Sequence, residues 1–192
     1  MELLRIVLIL YRMGAWMFEQ GAVGNNLFLA DIERLSVTAR AMLAETPVDS
    51  IGLLQTAMSA EIACVLRYSM IAVSADGLEN EWVATECAAQ AADERQHMVR
   101  LAVRIAELGG KPDYFASDLF VRRVVPEAAT GCLPRLFAEN LAAEQGVIEL
   151  YRELSAHFAG RDEKTRTLLD DILADEETHT SDMEDLLSSQ LI

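Results

Sequence analysis

The chain is poor in the residues that interrupt regular structure and in those that staple small folds. It carries four prolines and ten glycines in 192 residues, and they cluster between apolar stretches. Its three cysteines, Cys64, Cys87 and Cys132, fall at no zinc-like spacing. An odd number of distant cysteines argues against a disulfide framework and fits a reducing cytoplasm. Cys64 and Cys87 are expected to be small core residues. No Lys/Arg-rich tail offsets the net charge of −15. Such a chain is a poor binder of nucleic-acid phosphates and has no reason to seek an anionic membrane, though carboxylate-lined clefts attract cations. The apolar run Leu3 to Tyr11 is too short to cross a bilayer, and no other stretch is expected to do better. Glu2 precedes that run and no clear cleavage site follows. It therefore reads as a buried or partner-facing N-terminal segment, with Met13 and Met17 as alternative starts.

What is present is helical in character. Apolar residues make up 52% of the chain, with Ala, Leu and Glu dominant, and the length suits one domain with an added segment. Residues 1–46 form an N-terminal extension, with one short helix expected from about Leu27 to Leu43. Residues 47–192 carry four longer apolar periodicities. They run from about Ser50 to Ser74, Asn80 to Leu108, Leu133 to Phe158, and Asp162 or Lys164 to Ser188. Gly77, the Gly109-Gly110-Pro112 cluster and Gly160 punctuate them. The first and last links are short, so each pair predicts an antiparallel hairpin. Residues 111–133 are long enough to run the length of a helix. The expected fold is all-α, a four-helix bundle with one long crossover.

Two of the four bundle helices repeat a motif. Residues 92–97 and 174–179 both read Ala-Asp-Glu-x-x-His, which places each Glu and His on one helical face. The other two helices repeat as well: Glu61 precedes Tyr68 by seven residues, and Glu144 precedes Tyr151 by seven. Glu61 and Glu144 interrupt apolar stripes, where a charge is costly unless paired or bound to metal. The chain thus reads as two similar hairpins. Four carboxylates facing one core cannot all stay ionised unaided, and two divalent ions would neutralise them. Oxygen donors with one imidazole per ion suit ferrous iron, or manganese, better than structural zinc. Six candidate metal ligands follow: Glu61, Glu94, His97, Glu144, Glu176 and His179. Tyr68 and Tyr151 read first as packing residues with bonded hydroxyls. The functional alternative makes Tyr68, two turns from Glu61, the candidate catalytic residue, as a hydrogen-bond or electron donor. Asp93 and Asp175 are either solvated or acceptors for the ligand imidazoles across the bundle. His157 stands outside the pattern.

These residues resemble the ferritin-like superfamily, particularly bacterioferritins and Dps-like ferritins with a di-iron carboxylate site. The resemblance covers about residues 50–190 and includes Glu61 with Tyr68, Asp93 to His97, Ile105 to Pro112, Leu141 to Glu144 and Asp175 to His179. It implies that Glu61 and His97 hold one iron, Glu144 and His179 the other, and that Glu94 and Glu176 bridge. It implies two irons per subunit and ferrous oxidation by oxygen or hydrogen peroxide, for iron storage or oxidative-stress detoxification. It also implies a cytoplasmic homo-oligomer, a hollow dodecamer before a larger shell. Haem-binding bacterioferritins carry Met directly after the first Glu of the Glu-x-x-His pair; Arg95 stands here, so no haem is expected. Dps-like ferritins often carry Cys two residues after the third-helix Glu; Gly146 stands here, which departs from their redox-active cysteine pair. Only thirteen residues follow His179, which leaves no room for a fifth C-terminal helix. The alternative function is a di-iron or di-manganese oxidoreductase of peroxidase, catalase or hydroxylase type without storage. The absence of a Cys-x-x-Cys module argues against a standard rubrerythrin.

Overall fold

A computed structural model describes residues 27–75, 81–115 and 133–189. The expected apolar segment at 3–11, the Gly77 interruption and most of the 111–133 crossover lie outside them. The described residues form five helices and no strand: α1 (Leu27–Leu43), α2 (Ser50–Ala75), α3 (Glu81–Glu107), α4 (Leu133–Phe158) and α5 (Glu163–Ser189). Every boundary falls within two residues of its sequence expectation.

The helix ends have local causes. Asp49 caps α2 by accepting a hydrogen bond from the Gly52 amide at 2.9 Å, and Asp162 caps α5 through the Thr165 amide at 3.1 Å. α3 closes in a Schellman motif. The Gly110 amide donates to the Ile105 carbonyl at 2.9 Å and the Gly109 amide to that of Ala106 at 3.0 Å, with Gly109 at φ 84°. Only glycine takes that conformation without strain.

Side-chain pairs fix the arrangement. Gln55, near the start of α2, exchanges two hydrogen bonds of 2.8 and 2.9 Å with the Asp113 backbone just past α3. α2 and α3 are therefore antiparallel. Ser155 near the end of α4 bonds Asp170 near the start of α5, which makes the second antiparallel hairpin. Arg104 ties the end of α3 to the start of α5, reaching Asp162 at 2.6 Å and Thr165 at 2.7 Å. Arg67 ties α2 to α4 through Asn140 at 3.0 Å. The core runs along the bundle axis through Leu53, Leu54, Ile71, Leu101, Ile105, Leu150, Leu154, Leu169 and Ile172, all fully buried.

α1 lies across α2 and α4, one helix from each hairpin. It buries Phe28, Ile32, Leu35 and Ala39. At about 1.5–3 kcal/mol for each large apolar side chain, three of these secure a helix that propensity alone would not hold. Phe28 packs edge-on against Tyr68 with ring centres 6.4 Å apart. Arg40 grips Glu153 of α4 at 2.9 and 3.0 Å. Ile32 sits over Gly146, where a Cβ would stand 2.9 Å from its Cγ2. The glycine at this position is thus the seat of α1.

One expectation is overturned here. Ser50–Val73 of α2 is 24 residues long and apolar enough to cross a membrane by length and composition, so a longer apolar stretch than 3–11 does exist. It reads that way because α2 packs against α1, α3 and α4 and buries apolar residues along its length. A charged residue, Glu61, lies fully buried at its middle.

Candidate metal centre

Halfway along the bundle the apolar core gives way to polar groups. Glu61, Glu94, Glu144 and Glu176 have no solvent exposure, and His97 and His179 are almost as deeply buried. Each bundle helix supplies one carboxylate, and α3 and α5 add the imidazoles one helical turn on. The imidazole centres stand 6.0 Å apart. Each presents Nδ1 inward. His97 Nδ1 lies 3.0 Å from Glu176 Oε1, 3.3 Å from Glu94 Oε2 and 3.5 Å from Glu61 Oε2. His179 Nδ1 lies 3.3 Å from Glu94 Oε1 and 3.4 Å from Glu176 Oε2. Glu94 and Glu176 therefore each turn one oxygen to one histidine and the other oxygen to the second.

The supporting contacts cross between hairpins. The Tyr68 hydroxyl, from the first, donates to Glu144 Oε1 of the second; the Tyr151 hydroxyl donates to Glu61 Oε1. Outward, His97 Nε2 meets Asp175 Oδ2 at 3.1 Å, while His179 Nε2 stands 3.7 Å from Asp93 Oδ2. Of the two expected imidazole partners, Asp175 is within hydrogen-bond distance and Asp93 is not.

Burial sets the protonation pattern. Desolvation pushes the carboxyls of Glu61 and Glu144 well above the usual range, and the neighbouring carboxylates add to it. Burial opposes the charge of Glu94 too, but the two imidazoles facing it hold its carboxyl down at about 2. Burial likewise disfavours charge on the imidazoles, yet the carboxylates around them win. His179 is raised to about 11 and His97 further still. The carboxylates and imidazoles thus balance one another's charge.

That balance leaves donor atoms over. Glu61 Oε2, Glu94 Oε1, Glu144 Oε2, Glu176 Oε2 and His179 Nδ1 are buried without a hydrogen bond. Native interiors rarely tolerate several such atoms in one place. Oxygen and nitrogen donors converging on one spot fit a divalent cation. Donor atoms of Glu61, Glu94, His97 and Glu176 lie within 4.8 Å of one another, and so do those of Cys64, Glu94 and Glu144. A cavity of about 270 Å³ adjoins the outer edges of both imidazoles, lined also by Asp93, Asp175, Asp182 and Arg100.

A family model for the ferritin-like domain matches residues 51–191. The chain belongs to the ferritin-like family. Among solved structures, this ferritin-like chain is similar to the dodecameric thioferritin of Bacteroides fragilis, a bacterioferritin-related protein. Identity is 29%, with 73% of this chain and 85% of that one covered, at a TM-score of 0.65. It also shares the fold of the di-iron bacterioferritin of Desulfovibrio desulfuricans, at 23% identity, 82% coverage of both chains and a TM-score of 0.61. No curated protein matches.

All six expected ligand residues of the ferritin-like chain meet at one place. Tyr68 meets it too, through Glu144 of the opposite hairpin rather than through Glu61 on its own helix. Tyr151, read as packing, makes the equivalent contact. His157 lies apart at the end of α4, stacked edge-on against Phe158. Cys87 is a buried core thiol, pushed up to about 12 mainly by that burial. Cys64 is buried as well but lies beside the carboxylates, which the sequence reading missed. The available signal was its place three residues after Glu61, the same spacing as Glu94 to His97.

Proposed function

We propose that this ferritin-like protein holds two iron ions between its four bundle helices. It oxidises Fe(II) to Fe(III) with oxygen or peroxide, in the service of iron storage or oxidative-stress detoxification. The observation that carries the reading is the set of buried carboxylate oxygens without hydrogen bonds, one on each of four helices, facing two inward Nδ1 atoms. Glu61 and His97 would hold one ion, Glu144 and His179 the other, and Glu94 and Glu176 would be shared between them. The positions of the bridging oxygens between the two histidines favour that division. Manganese remains compatible with the donors.

Bound iron supplies the one-electron chemistry that oxygen and peroxide need. The chain supplies the rest. Asp175 holds His97 with Nδ1 turned inward, as carboxylate partners commonly do for metal-bound imidazoles. Tyr68 and Tyr151 fix Oε1 of Glu144 and Glu61, which would leave Oε2 free to hold an ion. His97 and His179 would hold a cation only as neutral imidazoles, so binding would release any proton they carry. Asp93, Asp175 and Asp182 draw cations into the cavity beside the imidazoles.

The thioferritin relative is dodecameric, and a hollow homo-oligomer in the cytoplasm is the corresponding proposal here. The same cavity gives one specific reason to retain a second reading, a di-iron or di-manganese oxidoreductase acting on a small substrate without storage. Anaerobic Fe(II) titration followed by oxygen separates the two. Saturation at about two irons per chain with rapid oxidation supports the centre. Continued uptake into a large particle selects storage, and a small oligomer that stops at two selects the enzyme. Unchanged stoichiometry and rate in Glu94→Ala would overturn the ligand assignment.

A further inference from the structure

The two halves of the centre are not chemically alike, and the difference is a sulfur atom. Cys64 follows Glu61 by one helical turn on α2; the matching residue after Glu144 on α4 is Val147. Both are fully buried. A valine therefore satisfies packing at this position in one hairpin, and packing alone does not call for a thiol in the other. Cys64 Sγ lies with donor oxygens of Glu94 and Glu144 inside a 4.8 Å span. Two donors gripping one ion from opposite sides stand about 4.4 Å apart when one is sulfur and one oxygen. The three donors therefore lie within reach of one shared ion.

The neighbouring oxygens point the same way. On the His97 side, Nδ1 hydrogen-bonds Glu94 Oε2 and Glu176 Oε1, and Glu61 Oε2 alone lacks a hydrogen bond. On the Glu144 side, Glu144 Oε2, Glu94 Oε1, Glu176 Oε2 and His179 Nδ1 all lack a hydrogen bond. The unsatisfied donors are concentrated where the sulfur lies.

We infer that Cys64 is a sulfur ligand to the ion on the Glu144 side, so that the centre is an unsymmetrical pair with one thiolate. This rests on the two-ion reading above. As the ion binds, the Cys64 S–H bond breaks, the sulfur keeps the electron pair and donates it to the metal, and the proton passes to solvent. No oxidation state changes in that step. A thiolate favours iron, cobalt and zinc over manganese. Cys64 thereby biases that position toward iron in a site whose other donors do not discriminate strongly.

Anaerobic titration of the whole metal-free protein with Co(II) tests this. Thiolate bound to Co(II) absorbs strongly in the near ultraviolet by charge transfer, and oxygen and nitrogen donors do not. The expected result is about two cobalt ions per chain and a thiolate band that grows with only one of them. Cys64→Ser should lose the band, weaken one binding step by about tenfold or more, and let Mn(II) compete better. Cys64→Val, which copies the other hairpin, should also lose the band. A variant with Cys87→Ser and Cys132→Ser should keep it. Two bound cobalt ions without a thiolate band in the unaltered protein, or a band surviving in Cys64→Ser, would overturn the sulfur ligand and leave the two-ion centre standing. Failure to bind cobalt at all would sink the centre itself.

Discussion

The hairpin α2–α3 and the hairpin α4–α5 are built to one plan but are not interchangeable. Each carries a buried Glu with a Tyr two turns on, then Asp-Glu-x-x-His on its second helix. Each uses its Tyr and its Asp on the other hairpin rather than on itself. The differences are local. Asp175 reaches its imidazole at 3.1 Å and Asp93 stops at 3.7 Å. Cys64 stands where the second hairpin has Val147, and Gly146 of the second hairpin receives Ile32 of α1. A shared plan sets where charge must be buried, and the departures from it adjust how each half meets its surroundings.

The largest expected effect comes from the charge pattern. The two imidazoles facing Glu94 favour its ionised form, while burial pushes the Glu61 carboxyl up toward its neutral form. Glu94→Gln should lower the stability of the metal-free protein by roughly 3 kcal/mol, as for other buried pairs that lose one member. Glu61→Gln should leave it within about 1 kcal/mol and still impair metal binding. Urea denaturation of both variants without metal checks this, and equal losses would contradict the difference between the two carboxyls.

Asp175 and Asp93 break the comparison next. Asp175→Ala should weaken metal affinity by about 10- to 100-fold, with a smaller loss for Asp93→Ala. Isothermal titration would show the two imidazole partners to be equivalent if both fell alike.

Gly146→Ala tests the seat of α1. Its methyl group would crowd Ile32 and should cost about 1–3 kcal/mol. Ile32→Ala removes that Cγ2, so combined with Gly146→Ala it should cost less than the sum of the two single changes in thermal melts.

The smallest effect belongs to the cap of α5. Asp162→Ala should cost about 1 kcal/mol. Burial opposes the Asp162 charge slightly, but its bonds with Thr165 and Arg104 hold its carboxyl at about 2, below its ordinary 3.8. A lowered folded-state value means that this stabilisation is complete above about pH 4 and is lost as pH falls through about 2. The acid-denaturation profile of Asp162→Ala should therefore differ from that of the unaltered protein above pH 4 and converge with it near pH 2.

Helix positions were legible because apolar residues recur at helical spacing and glycines or capping aspartates mark the ends. The cluster of candidate ligands was legible for a related reason: a Glu inside an apolar stripe, repeated in register, has few explanations. Partners across the bundle were not legible. Spacing puts Tyr68 on the face of Glu61, but the bundle's crossing geometry carries its hydroxyl to Glu144. Cys64 escaped notice because a lone thiol in an apolar stripe looks like any small core residue until depth and neighbours are known. The enclosure of α2 was hidden too, since α1 reaches it from a segment whose docking site no local pattern specifies.

The crossed tyrosine hydroxyls bear on how the protein matures during synthesis. A chain released from the ribosome before α4 is complete has Glu61 but lacks the phenol that steadies it, and until α5 emerges half the imidazoles are missing. Neither half can stand in for the other. Capture of metal would thus mark a finished polypeptide, and fragments ending early should stay empty and be open to proteases.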